Sequence, residues 1–133
     1  MIIYSKHLFG TGGRTLGFIH VDVDVSNPAD PDVSESVRVL VDTGATLSIL
    51  PADMLDRLGV RRRYRRRFQG FGGVVTRDTG TVNMTYEDVE EGVTVVFGAE
   101  DGPPIMGVTA LETLGFEADP VNGRLNRVDM LVM

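Results

Sequence analysis

The chain has 133 residues and no cysteine, and 19 acidic against 13 basic residues give a formal charge of −6. The length fits a single domain over residues 1–133, which buries roughly two-thirds of its unfolded surface. Disulfides, thiol nucleophiles and thiolate metal sites are excluded, no apolar run reaches the ~18 residues of a membrane span, and the acidic balance argues against general nucleic-acid binding.

The start, Met1 to Lys6, lacks the basic and apolar regions of a secretory signal, so a cytoplasmic location is expected. Gly10-Thr11-Gly12-Gly13 lacks the Gly-Lys-Ser/Thr ending of a phosphate loop and reads as a hairpin turn. From Phe18 to Val25 the pattern alternates, with Ile19, Val21, Val23 and Val25 on one face of a half-buried strand. The Asp-, Pro- and Ser-rich stretch from Ser26 to Ser36 reads as a surface loop. Val37 to Val41 is the next strand, apolar enough at its end to suggest burial on both faces. A short helix follows near Pro51–Leu58, with Pro51 in the first turn and Gly59 as the stop. Arg66 to Thr76 and Thr79 to Thr85 read as two arms of a hairpin, and Gly92 to Gly98 as a further strand. Thr109-Ala110-Leu111-Glu112 matches a capping box before a second short helix over Thr109–Leu114, closed by Gly115. The first ten residues and the tail over Leu125–Met133 read as edge or interface strands. The sum is an all-β, closed barrel-like fold with two short helices.

Val39-Leu40-Val41-Asp42-Thr43-Gly44-Ala45-Thr46 carries the chemistry. A carboxylate leaves a buried strand directly, and Gly44 lets the chain turn there. On the tripeptide alone, a plain Asp-Thr-Gly turn at a strand end is the better reading. Three further features shift the balance: Ala45 after the glycine, the flexible Gly70-Phe71-Gly72-Gly73, and Ile105-Met106-Gly107 immediately before the second helix.

This ordered set resembles the retroviral-type, or retropepsin-like, aspartic proteases. It does so over residues 17–125, and the Leu-Gly, Asp-Pro and Gly-Arg-Leu pattern of 114–125 resembles the bacterial and cellular branch. The resemblance implies a retropepsin fold with a flap hairpin and an endopeptidase with peptide or protein substrates that uses neither metal nor organic cofactor. It implies Asp42 as the catalytic residue, Thr43 locking two such loops across a twofold axis, and Gly44 offering its carbonyl to the substrate backbone. Ala45 would floor the pocket, and Thr46 and Val108 would border the substrate. Gly70, Phe71, Gly72 and Gly73 would form the flap tip, with Phe71 as apolar cover. Ile105 and Met106 would pack beneath the loop, and Gly107 would permit close backbone approach. Thr46 and Val108 stand where retroviral members carry an acidic residue and an arginine, so that charged pair is absent.

Peptide hydrolysis by carboxylates needs two of them, one to take a proton from water and one to donate a proton to the carbonyl oxygen. A second Asp78-Thr79-Gly80 lacks the apolar lead-in and lies too close to Asp42 for a second lobe, so it reads as a polar turn or strand. The partner carboxylate is then Asp42 of a second copy, in a homodimer. The competing reading is a non-catalytic, dimeric peptide-binding or scaffold module that keeps the protease fold. Six of the 13 bases crowd into residues 61–67 and read as solvated arginines on an exposed strand, with a role in substrate choice worth testing. His7 and His20 are isolated, Ser48 lacks a nucleophile-elbow context, and Asp22, Asp24, Asp30 and Asp32 lack calcium-loop spacing.

Overall fold

Valines at every second position make a strand with one wet face, and β1 (His20–Asn27) is that strand. Val21, Val23 and Val25 are buried with Ile19 ahead of them, while His20, Asp22 and Asp24 face solvent. The computed structural model describes residues 18–70, 72–130 and 132. The expectations for the first ten residues, His7, Gly10 to Gly13 and Phe71 lie outside them.

β2 (Asp30–Val41) runs antiparallel to β1, so the loop expected over 26–36 is a tight turn at Pro28-Ala29 followed by strand. The polar residues misled because this end of β2 is exposed, and residue type reports burial more than backbone pairing. Asn27 closes the turn. Its side-chain oxygen accepts the Ala29 N–H, and its amide donates to the carbonyls of Leu58 and Gly59 at 3.1 and 2.9 Å. The end of β2 is not buried on both sides either. Val39 and Val41 point inward, but Leu40 is half-buried and Arg38 exposed, because the outer face opens onto a shallow cavity shared with His20, Pro103 and Pro104.

β3 (Ser48–Pro51) leads into α1 (Ala52–Arg57), which buries Met54 and Leu55. Pro51 caps this helix from just outside it, and Gly59, at φ 73°, turns the chain away. β4 (Tyr64–Gly70) and β5 (Gly73–Tyr86) form a hairpin whose turn falls inside the first expected arm, with Gly70 opposite Gly73. No break occurs at residues 77–78. Asp78 lies mid-strand opposite Arg65 and pairs with Arg62 and Arg65, and at Gly80 a Cβ would come within 2.6 Å of the Arg61 carbonyl. β6 (Val89–Gly98) begins at Val89 rather than Gly92.

β7 (Ile105–Met106) is followed by α2 (Val108–Leu114) and a small hairpin of β8 (Phe116–Asp119) and β9 (Arg124–Arg127). The capping box expected at Thr109 does not form. Gly107 is the N-cap without a side-chain bond, and Thr109 lies inside the helix with its hydroxyl engaged elsewhere. Gly115 ends α2 in the left-handed conformation at φ 84°, as its position implied. The tail up to Arg127 folds back on β8 and buries Leu125, and residues 128–130 form no strand, so this part of the expected interface strand is occupied within the chain.

The main sheet runs β1-β2-β7-β3-β6-β5-β4, and an extra pairing of β1 with β5 brings it back on itself. The fold is all-β with two short helices. The main core lies inside the closure, under α1 and α2. A smaller cluster of Ala45, Ile49, Val96 and Ile105 lies apart from it, with Leu47, Phe68 and Val75 packed on it. No helix among the described residues is long and apolar enough to cross a membrane.

Candidate active site

The site forms because two residues from late in the chain are threaded between two early strands. β7 pairs parallel with β2, Leu40 against Ile105 and Val41 against Met106, and antiparallel with β3, Ile49 against Ile105. The chain leaving β2 must therefore pass across the end of β7 to become β3. The crossing segment is Asp42 to Leu47, and its sharp start falls at Thr43-Gly44.

Several main-chain groups of this crossing are tied down. The Asp42 N–H donates to the Met106 carbonyl at 2.9 Å, and the Ala45 N–H to the Asp42 carbonyl at 3.1 Å. Oδ1 of Asp42 accepts the Gly44 N–H at 3.0 Å, which holds the carboxylate against its own loop. Asp42 is 1% exposed, while Thr43, Gly44 and Thr46 around it are exposed. A buried carboxylate thus lies beneath an open rim of small residues.

The floor is built from the 105–109 segment. Ile105 and Met106 are both buried, as expected. The Val108 N–H donates to the Ala45 carbonyl at 2.8 Å, and the Thr46 carbonyl accepts both the N–H and the hydroxyl of Thr109, at 3.1 and 2.7 Å. These bonds join the two segments at which retroviral members would carry an acid and an arginine. Gly107 is pressed against the crossing: a Cβ there would lie 2.6 Å from the Leu47 carbonyl carbon and oxygen and 2.9 Å from the Ala45 oxygen. Its N–H donates to the hydroxyl of Ser48, which is fully buried, at 3.0 Å.

Ser48 and Thr109 are bracing residues, a role the sequence did not suggest: Ser48 was weighed there only as a nucleophile and Thr109 only as a helix cap. The available signal was a hydroxyl inside an apolar run, without any indication of its partner. Ala45 is buried in the smaller apolar cluster, under Phe68 and Val75 of the β4–β5 hairpin, and Val108 is half-buried at the start of α2. Gly70, Gly72 and Gly73 lie at the hairpin tip. Gly73 has φ 109°, a conformation open to glycine, and no atom would meet a Cβ at Gly72 or Gly73 within 4 Å. Asp78 stands apart from this arrangement, tied to Arg62 and Arg65 at 3.0 and 3.4 Å. His20, Asp22, Asp24, Asp30 and Asp32 are exposed, and among the described residues no group of three or more His, Asp or Glu side chains gathers as a metal site would require.

The arginine-rich segment is exposed over 61–67. Arg62 is its one multiply bonded member among the described residues. It reaches Asp56 at 2.8 Å and Asp78 at 3.0 Å and lies 4.4 Å over the Phe97 ring, so it fastens α1 to the hairpin. Its hydrogen bonds to the Asp56 and Asp78 carboxylates raise its pKa above the ordinary guanidinium value.

The sequence and the fold are similar to those of known proteins. The family described as "gag-polyprotein putative aspartyl protease" matches residues 34–113, which run from β2 through the Asp42 loop, the hairpin and β7 into α2. Among solved structures, the EIAV protease complexed with the inhibitor HBY-793 is similar at a TM-score of 0.53 and 26% identity, over 74% of this chain and 89% of that one. A search of curated proteins found no match. With the matched region spanning most of the chain and its central aspartate set on a braced, buried loop, the protein belongs to the gag-polyprotein aspartyl protease family.

Proposed function

We propose that the protein is an aspartic endopeptidase of the bacterial and cellular retropepsin-like branch, active as a homodimer in which two Asp42 carboxylates face each other across a twofold axis. The observation that carries this reading is the Asp42 loop itself. Its carboxylate is buried and held by the Gly44 N–H, and its rim of Thr43, Gly44 and Thr46 is exposed in the single chain. An exposed Thr43 beside a buried Asp42 suits a loop that meets its twin. In such a pair the carboxyls share a proton, because two adjacent charges are costly. The ionised one takes a proton from water as the water attacks the peptide carbonyl. The protonated one donates to the carbonyl oxygen; the proton taken from water then passes to the nitrogen as the C–N bond breaks, and a hydroxyl of the tetrahedral carbon returns a proton to the other carboxylate.

In this reading Gly44 binds the substrate backbone and Ala45 floors the cleft. Thr46 and Val108 border it, and Gly70, Phe71, Gly72 and Gly73 close over it and exclude water. Extended peptides with apolar residues near the scissile bond are the expected substrates.

The test is cleavage of a broad peptide library from acid to neutral pH by wild type and Asp42→Asn. Wild type cuts and the variant does not. Wild type mixed with excess Asp42→Asn chains forms dead heterodimers, so activity falls with the square of the wild-type fraction rather than in proportion to it. Full specific activity from a demonstrated monomer would overturn the dimeric dyad. Intact peptides under every condition would leave a binding module instead.

A further inference from the structure

The β4–β5 hairpin carries an arrangement that a lone chain does not stabilise. Arg66 and Arg77 are direct cross-strand partners, and like charges directly opposite repel. Among the described residues neither makes an ion pair, although the adjacent Arg65 and Arg62 share Asp78 on the other face. Arg77 is half-buried, and its Nε is buried without a hydrogen-bond partner. A buried guanidinium N–H without an acceptor is costly, and the unbalanced charge of the pair is one that a nearby anion offsets.

The face matters as much as the charge. Partners in an antiparallel ladder share a side, and sides alternate along the strand. Phe68 and Val75 are the next same-side pair toward the tip, and they pack on Ala45, Ile49, Val96 and Ile105. The arginine pair therefore lies on the side of the hairpin that covers the Asp42 loop, one same-face step (about 7 Å) further from the tip. Arg67 and Thr76, between the two pairs, point the opposite way.

We infer that Arg66 and Arg77 form a carboxylate-binding subsite for an acidic side chain of an extended peptide, beyond the apolar residues at the scissile bond. This rests on the endopeptidase reading for the peptide nature of the ligand. Two guanidiniums offer forked donors to one carboxylate, whose charge offsets the repulsion between them. The chain would then cut where an apolar pair is flanked at a distance by Asp or Glu.

The experiment uses a labelled decapeptide with apolar central residues and Glu at its outer positions, and its twin with Gln for each Glu. Wild type is expected to prefer the Glu peptide by about tenfold in KM, the worth of one charge-assisted pair. Arg66→Gln and Arg77→Gln, each checked for native circular dichroism, bring the Glu peptide to the level of its twin. Arg67→Gln removes the same charge from the opposite face and keeps the preference. Equal cleavage of both peptides by wild type overturns the subsite and leaves proteolysis standing. If neither is cut, proteolysis fails, and fluorescence anisotropy on Asp42→Asn protein decides the subsite. Tighter binding of the Glu peptide that Arg66→Gln abolishes upholds it, and equal binding overturns it. Labelled oligothymidylate binding more tightly than the Glu peptide, and lost in Arg66→Gln, assigns the pair to nucleic acid and also overturns it.

Discussion

Gly107→Ala isolates the contact on which the Asp42 loop rests. The backbone at Gly107 has φ −87° and ψ 173°, which alanine adopts freely, so the effect is steric alone. The added methyl would lie 2.6 Å from the Leu47 carbonyl carbon and oxygen and 2.9 Å from the Ala45 oxygen. Relief requires the segments to part by roughly 0.8 Å, since ordinary contact begins near 3.4 Å. Neither side yields cheaply. The obstructing atoms are main chain, and the Ala45 and Thr46 carbonyls already accept bonds from Val108 and Thr109. The cost therefore lies at the upper end of overpacking, about 3 kcal/mol, or a fall in Tm of about 12 °C for a chain this size. Displacement of a reacting group by nearly an ångström lowers kcat/KM by about 100-fold. Urea and thermal unfolding at one fixed protein concentration measure the first effect, and peptide cleavage the second. Gly92→Ala is the control. The nearest atom to its Cβ would be 4.0 Å away, and the change is neutral or stabilising by about 0.5 kcal/mol. Gly107→Ala protein within about 0.5 kcal/mol of wild type would refute the described packing of the loop on β7.

Ser48→Ala leaves the Gly107 N–H buried without its acceptor and should cost about 1–3 kcal/mol in urea unfolding, whereas loss of an idle hydroxyl would cost nothing. A pH effect is expected at the β8–β9 turn. Asn122, through its side chain and its main chain, and then Asn126 hold the Asp119 carboxyl below the usual carboxylate range. A depressed folded value stabilises above the unfolded value, and that stabilisation fades as pH falls through the folded one. Asn122→Ala should therefore raise Asp119 in a carboxylate NMR titration. It should also lower stability at neutral pH, with the gap to wild type closing in acid. An unchanged titration would refute the assignment.

What the sequence made legible divides along a physical line. The passage from strand to turn at Asp42 was readable because an apolar strand running straight into Asp-Thr-Gly-Ala is a local pattern, and so were the two helices, bounded by Pro51, Gly59 and Gly115. Local composition failed where burial and pairing diverge. Asp30 to Ser36 is strand but wet on both faces, and Thr109 spends its hydroxyl on Thr46 rather than on its own helix. The hairpin turn was misplaced because glycines at 70, 72 and 73 allow several turns, and the cross-strand register that selects one is set by partners down the arms. The braces at Ser48 and Thr109 lie 59 and 63 residues from their partners, so no window along the chain contains both halves.

That same separation fixes the order of events as the chain folds. The slot between β2 and β3 is filled by only two residues, Ile105 and Met106, and neither flanking strand pairs with the other. Until those residues emerge from the ribosome and find the slot, Leu40-Val41 and Ile49 face an open gap, and unpaired edges of this kind invite misassembly. Contacts this distant in sequence are slow to form. The nascent protein carries Asp42 with no floor beneath it while residues 43–104 are made, and a chain truncated before Ile105 would expose two sticky edges rather than a weakened site. The seat of Asp42 is complete only once Ile105 and Met106 have been made.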